Sequence, residues 1–384
     1  MRLFYEWGTK QLQKHGEELC GDNVAIASHA KSVTLALSDG LGSGVKANIL
    51  STLTTRIVMH LLENELPLGE VVQTLSKTLP VCEVRKLAYS TFAIGQFFSE
   101  GRARVVEFDT PPVILLRKRK SVPVACDERE IDGKTIRESE LELQIGDWIV
   151  FVSDGVINAG IGGLYPLGWG WDQVVRYLEE HCHPDLSAQE LADKLAQAVW
   201  DLYCNKPGDD VSVAVIKTRR KLTATVLTGP PLDRHMDKKV VDRFVQRPGF
   251  LAVCGGTTAK IVARHLGGKS LDVDLSTMSD DVPPVARLDG IDLTTEGTLT
   301  LTKAHELLAT GADKQMLKFQ TDGASALVRL CLDVDHVHFM VGLTVNPAHQ
   351  NPELPEELGM KLSVVRSIAE ELRKTGKEVT IETV

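Results

Sequence analysis

The sequence predicts an α/β (α+β) protein of two domains, a four-layer α-β-β-α sandwich followed by a smaller α/β domain. At 384 residues the chain is too long for one ordinary hydrophobic core. Up to about residue 220, helices come in pairs and strands in antiparallel runs, which indicates two stacked sheets with helices outside. After the charged stretch Thr218–Lys221, strands and helices alternate, which is typical of a mostly parallel sheet. We therefore expect domains at 1–220 and 221–384.

Helices of the first domain are predicted from apolar periodicity and capping residues. Ile49, Leu53, Ile57 and Leu61 recur every four positions, which predicts a helix over Val45–Glu63. The other predicted helices are Leu68–Leu79 (ended by Pro80), Trp171–Cys182 and Ser187–Tyr203. In the last of these, Ser187 as N-cap and Glu190 would complete a capping box.

Strands of the first domain are predicted from short β-prone runs. They are Tyr89–Phe98, Arg102–Phe108 and Val113–Arg117, with Asp109–Pro112 as the turn between the last two. Three further apolar runs adjoin aspartates, namely Val33–Leu37, Trp148–Val152 and Val211–Ile216.

The second domain shows the alternation expected of a parallel sheet. Predicted strands are Phe250–Cys254, His336–Leu343 and Glu378–Glu382, and predicted helices are Thr257–Leu266, Ala324–Asp333 and Met360–Lys374. Pro283-Pro284 and Thr295–Gly297 flank a turn-rich segment that we expect to be a hairpin.

Aspartates at the ends of strand-like runs are the chemical signal of this sequence. Asp39 and Asp154 each follow a predicted strand in a Ser-Asp-Gly sequence, Asp209 precedes one, and Asp22 lies in Gly-Asp-Asn. A single Asp-Gly is more often a turn than a ligand. Four such ends together indicate one cluster, and carboxylate oxygens without matching His or Cys select Mg²⁺ or Mn²⁺. The sequence therefore predicts a metal-dependent enzyme.

Other classes of function find little support in the sequence. Neither a phosphate-binding G-x-x-x-x-G-K-[ST] loop nor a G-x-S-x-G nucleophile turn occurs. A net charge of −9 argues against binding to nucleic acid or to anionic membranes. The seven cysteines include no C-x-x-C pair, which favours free thiols in a reducing cytoplasm. No run approaches the about 20 apolar residues of a membrane helix, so we expect a soluble cytoplasmic protein.

The first 218 or so residues resemble the bacterial sporulation stage II E (SpoIIE-like) type of protein serine/threonine phosphatase, in the PP2C (PPM) superfamily. The matching stretches occur in the family's order over slightly more than half the chain: Trp7–Lys10, Gly21–Asn23, Asp39–Gly44, Tyr89–Phe92, Phe108–Pro112, Ile145–Asp147, Ser153–Val156 and Asp209–Ser212. The remainder resembles no family that we recognise.

The resemblance implies a site with two Mn²⁺ or Mg²⁺ ions, at which a bridging water attacks phosphorus directly. Asp39 would bridge both ions, and Asp22 and the Gly40 carbonyl would serve one of them. Asp154 and Asp209 would serve the other. Asp210 stands where many relatives have Asn, so we expect it beside the ligands rather than among them.

The resemblance further implies a phosphoserine or phosphothreonine substrate on a bacterial regulatory protein, by analogy an antagonist of an anti-sigma factor. The second domain would sense a ligand or partner. Gly255, Gly256 and Thr257 follow a predicted strand and open a helix, so their amides could receive an anion. Asn346–Pro352 is a second candidate loop, and a purely structural turn is the alternative at both places. The rival function is a catalytically weak or inactive scaffold of the same fold, whose second domain binds a ligand or partner. No feature fixes an oligomeric state.

Overall fold

The structure is a computed structural model that describes residues 2–29, 32–64, 66–78, 90–131, 133–274, 285–313, 316–344 and 356–384. The chain divides into two compact units, residues 1–220 and 221–384. Each is described by itself below.

Two antiparallel sheets form the centre of the first unit. The strands of the six-stranded sheet are β2 (Asp22–Ser28), β3 (Ser32–Asp39), β4 (Phe92–Phe98), β5 (Arg102–Phe108), β8 (Asp127–Ile131) and β9 (Lys134–Glu142). Those of the five-stranded sheet are β1 (Phe4–Leu12), β6 (Ile114–Arg117), β7 (Lys120–Val122), β10 (Trp148–Val152) and β11 (Val211–Arg219). Their orders are β2-β3-β4-β5-β9-β8 and β1-β11-β10-β6-β7.

Helices cover the outer face of each sheet. Against the six-stranded sheet lie α1 (Gly44–Glu63) and α2 (Leu68–Thr78), through a core that includes Val58, Val72 and Ile94. Against the other lie α3 (Asp154–Ile157), α4 (Trp171–His181) and α5 (Ala188–Leu202). Between the sheets, Phe97 and Phe151 meet edge to face with ring centroids 6.3 Å apart. The predicted four-layer sandwich is confirmed.

The face that α1 buries differs from the apolar stripe that predicts the helix. Ile49 and Leu53 are 58% and 48% exposed, whereas Ala47, Ser51, Thr54, Thr55, Val58 and Leu62 are buried. Most of these side chains are small, so the helix lies close to the sheet, and Thr55 Oγ1 donates a hydrogen bond to Asn23 Oδ1 at 2.7 Å. A close approach with satisfied hydroxyls thus outweighs burial of the larger apolar side chains at this position.

The second unit is a seven-stranded, mostly parallel sheet. Its strands are β12 (Thr223–Thr228), β13 (Phe250–Cys254), β14 (Asp272–Asp274), β15 (Val285–Leu288), β16 (Ile291–Thr295), β17 (His336–Val341) and β18 (Glu378–Thr383), in the order β14-β15-β16-β13-β12-β17-β18. The five from β16 to β18 are parallel, while β14 and β15 pair antiparallel. The β15–β16 pair confirms the predicted hairpin.

Helices pack on both faces of this sheet. On one face are α6 (Asp237–Val245) and α7 (Gly256–His265), and on the other α8 (Thr298–Ala309), α9 (Gly323–Asp333) and α10 (Glu356–Lys374). A short 3₁₀ turn, Arg234–Met236, precedes α6. Successive strands depart from β12 in both directions along the sheet, which is the doubly wound arrangement.

The predicted elements recur with their ends shifted by at most a few residues. Ser187 is the N-cap of α5, and its capping box with Glu190 is present. Pro80, Tyr89, Pro283-Pro284 and Asn346–Pro352 lie outside the described residues. The sequence did not predict several elements, among them β8 and β9. Within the described parts of the chain, no helix is long and apolar enough to cross a membrane.

Candidate metal centre

Two of the predicted aspartates face each other across the edge hairpin of the six-stranded sheet. Asp22 opens β2 and Asp39 closes β3, and the antiparallel register makes them direct cross-strand partners. Partners of this kind have Cβ atoms about 4.5–5.5 Å apart and point to the same face. Ser90 Oγ and Thr91 N–H both donate to the Asp39 carbonyl, at 3.0 Å and 2.9 Å. The register and these bonds fix the backbone beneath both carboxylates.

The other aspartates come from the five-stranded sheet. Asp154 follows β10, and Asp209 and Asp210 precede β11, the antiparallel neighbour of β10. Ser153 N–H donates to Ser212 O at 3.0 Å, and Ser212 N–H donates to Ser153 Oγ at 2.8 Å. A Cβ added to Gly155 would lie only 2.0 Å from the carbonyl oxygen of Asp210. The two segments therefore touch through their backbones, which only glycine permits.

Carboxylates from the two sheets lie close enough together to affect one another's ionisation. Burial raises the pKa of Asp39, and the charges of Asp22, Asp154 and Asp209 raise it further. Burial also raises the pKa of Asp22, the hydroxyls of Ser153 and Ser212 oppose that change, and Asp210 and Asp154 reinforce it. For Asp154 the pKa is raised first by burial and then by Asp209. Such a cluster disfavours ionisation unless cations accompany it.

One buried carboxylate oxygen within this aspartate cluster has no hydrogen-bond partner among the described residues. Asp22 is 2% exposed, and its Oδ2 accepts no hydrogen bond. Burying a carboxylate oxygen without a hydrogen-bond partner costs free energy, and a cation bound to that oxygen would offset the cost. The oxygen atoms available as ligands belong to carboxylates and to the Gly40 carbonyl, and such oxygens suit Mg²⁺ or Mn²⁺. On these grounds the residues fit divalent ions.

No three His, Cys, Asp or Glu side chains surround a single point in the chain as far as it is described. The described carboxylates are instead arranged in pairs, and Mg²⁺ usually retains several waters beside one or two carboxylates. Paired carboxylates at adjacent strand ends provide that number.

Asp210 is held by protein groups. It is 4% exposed, and its Oδ1 accepts a hydrogen bond from the Lys14 N–H at 3.0 Å. Its Oδ2 would lie 2.7 Å from a Cβ added to Gly21, directly before Asp22. Asp209 by contrast keeps 41% of its side chain exposed, with Lys14 Nζ at 3.9 Å. The two neighbours thus differ in exposure, and the assignment of Asp209 as a ligand and of Asp210 as a residue beside the ligands stays a prediction.

Gly40 lies where α1 comes closest to the hairpin. A Cβ on it would lie 2.0 Å from Ala47 O, and its N–H donates to Gly21 O at 3.3 Å. A side chain would push α1 away from the strand ends.

A cleft of about 510 Å³ opens beside the aspartates, and its lining includes Asp39 and Asp154. Three further charged residues of this lining, Asp109, Glu128 and Arg137, were not predicted as site residues. Asp109, with a φ of 51°, belongs to the quoted stretch Phe108–Pro112, so the resemblance carried a signal for it. Arg137 lies on β9, which the sequence did not predict, and no motif marks it.

The candidate anion loop of the second unit has part of the expected geometry. Gly255 has a φ of 126° and is the N-cap of α7, so glycine rather than threonine caps this helix. Thr257 is exposed. However, Glu296 Oε1 would lie 3.2 Å from a Cβ on Gly256, so a carboxylate already stands beside the turn. An anion site at Gly255, Gly256 and Thr257 stays a prediction.

Comparisons with known proteins agree with this architecture. Residues 29–219 match the family model of Stage II sporulation protein E (SpoIIE). The Stage II sporulation protein E of Bacillus subtilis (strain 168) is 21% identical over an alignment of 230 residues, and the match covers 55% of this chain and 25% of that protein. The chain thus spans about a quarter of the length of this curated relative.

One solved structure supports the fold of the first unit. The PP2C phosphatase domain of SpoIIE from Bacillus subtilis, solved with a fragment of its regulatory domain, is 20% identical with a TM-score of 0.50. The match covers 57% of this chain and 64% of that one. A second structure of the phosphatase domain, without domain swapping, is 19% identical with a TM-score of 0.45, covering 57% and 94% of the two chains.

Proposed function

We propose, from the premise that residues 29–219 carry a PP2C-type phosphatase domain of the SpoIIE family, that the first unit hydrolyses phosphate monoesters of serine or threonine on a protein. The reaction would depend on two divalent ions, Mn²⁺ or Mg²⁺. When bound, such ions lower the pKa of water and neutralise phosphoryl oxygens.

The residues of this chain would divide the work as follows. Asp39, central to the repelling carboxylates, would bridge the ions, while Asp22 and the Gly40 carbonyl hold one and Asp154 and Asp209 the other. Asp210 would keep the strand ends in place through Lys14. Ser153 and Ser212 favour the charged form of Asp22, because their hydroxyls lower its pKa against the effect of burial.

The observation that carries the proposal is the unpartnered Oδ2 of Asp22. A buried oxygen of this kind, on a carboxyl whose pKa is raised by burial and by the charges of Asp210 and Asp154, is explained by a cation that compensates these charges at once. A scaffold without catalysis would gain stability by losing one of these charges, yet all four predicted aspartates are present.

The test is hydrolysis of para-nitrophenyl phosphate by the full chain with Mn²⁺, with Mg²⁺ and with EDTA. Asp39→Asn and Asp154→Asn should each lower kcat/KM by on the order of 100-fold or more, because each removes charge where the ions are held. The circular dichroism spectrum should not change, since neither side chain belongs to the core.

Asp193→Asn is the matched control, because Asp193 is half exposed and pairs with Lys10 at 3.8 Å outside the cleft. Full activity in EDTA, or in either site variant, would refute the two-ion assignment. A wild-type protein that binds Mn²⁺ but hydrolyses no phosphoester would favour the scaffold.

We further propose that the substrate is a phosphorylated bacterial regulatory protein in the cytoplasm, by analogy an antagonist of an anti-sigma factor. The second unit would regulate the first by binding a ligand or a partner. Its doubly wound sheet supports this role, because ligands of such sheets bind beyond the carboxyl ends of the strands.

A further inference from the structure

Arg137 is the one basic residue among the described residues that line the cleft. The same lining holds Asp39 and Asp154 of the metal centre and the acidic residues Asp109 and Glu128. A phosphoester is an anion, and Asp109 and Glu128 would repel it even after cations compensate the other carboxylates. Arg137 supplies the opposite charge in the same cavity.

The strand pairing holds this arginine firmly. Arg137 lies on β9 directly across from Glu107 on β5 and from Glu128 on β8. Its Nη2 donates to Thr110 O at 2.7 Å and lies 3.6 Å from Glu107 Oε1. Glu107 is itself fixed, since its Oε1 accepts the Val113 N–H at 2.7 Å. The Arg137 side chain nevertheless keeps 25% of its surface exposed.

We propose that Arg137 binds the non-reacting oxygens of the substrate's phosphoryl group, from the wall of the cleft contributed by β9. This inference rests on the proposed function of the site. A guanidinium has five N–H donors in a planar fork, so the bond to Thr110 leaves donors for a phosphate. Bidentate contacts between arginine and phosphate are among the strongest hydrogen bonds in proteins.

A structural role for Arg137 would be to anchor the loop Asp109–Pro112. The same loop is held from another side, because Trp171 Nε1 donates to Pro112 O at 3.1 Å. Trp171→Phe therefore loosens this loop without removing a charge, and it separates the two roles. Arg129 provides a second control, since it lies on neighbouring β8, pairs with Glu138 at 3.9 Å and is absent from the cleft lining.

The experiment compares Arg137→Gln, Arg137→Lys, Trp171→Phe and Arg129→Gln in the full chain with Mg²⁺. We expect Arg137→Gln to raise the KM for para-nitrophenyl phosphate and the inhibition constant of inorganic phosphate by about 10- to 100-fold, the worth of a charged hydrogen bond. Arg137→Lys should recover part of that loss. Trp171→Phe and Arg129→Gln should leave the inhibition constant unchanged.

A second measurement does not depend on turnover. Inorganic phosphate with Mg²⁺ should raise the melting temperature of wild type and of Arg129→Gln, but not of Arg137→Gln. The assignment of Arg137 is wrong if Arg137→Gln binds phosphate as tightly as wild type does. It is also wrong if Trp171→Phe weakens phosphate binding as much as Arg137→Gln does. If wild type hydrolyses no phosphoester, the proposed function fails instead, and the phosphate-dependent melting still decides whether Arg137 binds the anion.

Discussion

At the scale of single residues, the site contains carboxylates whose ionised form is unfavourable in the folded, metal-free protein. Asp22 is buried with one oxygen unpartnered, and Asp39 stands among three other carboxylates. Neither arrangement stabilises the metal-free protein. The raised pKa values of these groups should therefore make the stability of the folded protein depend on pH.

Metal-free protein should lose stability as the pH rises. The folded pKa of Asp39 is raised from 3.8 to about 9, so between those values the folded state binds more protons than the unfolded state. Stability then falls with increasing pH across that window. Asp39→Asn, which cannot ionise, should melt higher than wild type at about pH 8 without metal, and the two should converge near about pH 4.

Calorimetry in EDTA checks this expectation, with Asp193→Asn as the control that should follow wild type. Adding Mg²⁺ at the higher pH should reverse the order of wild type and Asp39→Asn, because only wild type retains its full ligand set. Equal melting temperatures for the two proteins across the range would contradict the raised pKa.

Gly155→Ala should damage the site without altering any ligand. The added Cβ would lie 2.0 Å from Asp210 O, so the segments carrying Asp154 and Asp209 must separate. We expect the free energy of unfolding to fall by about 1–3 kcal/mol and the phosphatase activity to fall with it. Gly69→Ala on α2 is the control, because nothing lies within 4 Å of its added Cβ. A fully active Gly155→Ala variant would show that the contact is dispensable.

At the scale of helices and strands, local signals predicted much of the fold. The capping box at Ser187 fixed the start of α5, and the strands flanking the aspartates were found from their apolar runs. The face of α1 was missed because packing against Asn23 favours small hydroxyl side chains, which no periodicity reveals. Arg137 was missed because the edge strand β8 and its neighbour β9 are largely polar, and the pairing of β9 with β5 depends on residues distant in the sequence.

The turn between β13 and α7 offers a test at this scale. If the start of α7 receives an anion, Glu296 competes for the same place, so Glu296→Gln should tighten binding of ATP. Gly256→Asp should abolish it by adding negative charge. Titration calorimetry of the full chain in EDTA measures both. Absence of ATP binding in wild type and both variants, with lower melting temperature in Gly256→Asp, would make this loop a structural turn.

At the scale of the whole molecule, every residue proposed for hydrolysis lies in the first unit. We therefore expect residues 1–220, produced alone, to hydrolyse para-nitrophenyl phosphate with the same metal requirement as the full chain. Its rate relative to the full chain measures what the second unit contributes. Inactivity of a folded 1–220 fragment would show that the site needs the second unit to function.

The hairpin of β2 and β3 has a consequence for changes in chain length. Its turn closes with the His29 N–H donating to Ser32 O, and Asp22 and Asp39 form the pair at the opposite end. Deleting one residue between Ser32 and Asp39 would move the Asp39 carboxylate to the other face of the sheet. Deleting two residues would return it to the original face but displace it along the strand. Homologous domains that retain this chemistry should therefore keep the number of residues in β3 constant, even where the residue types along it differ.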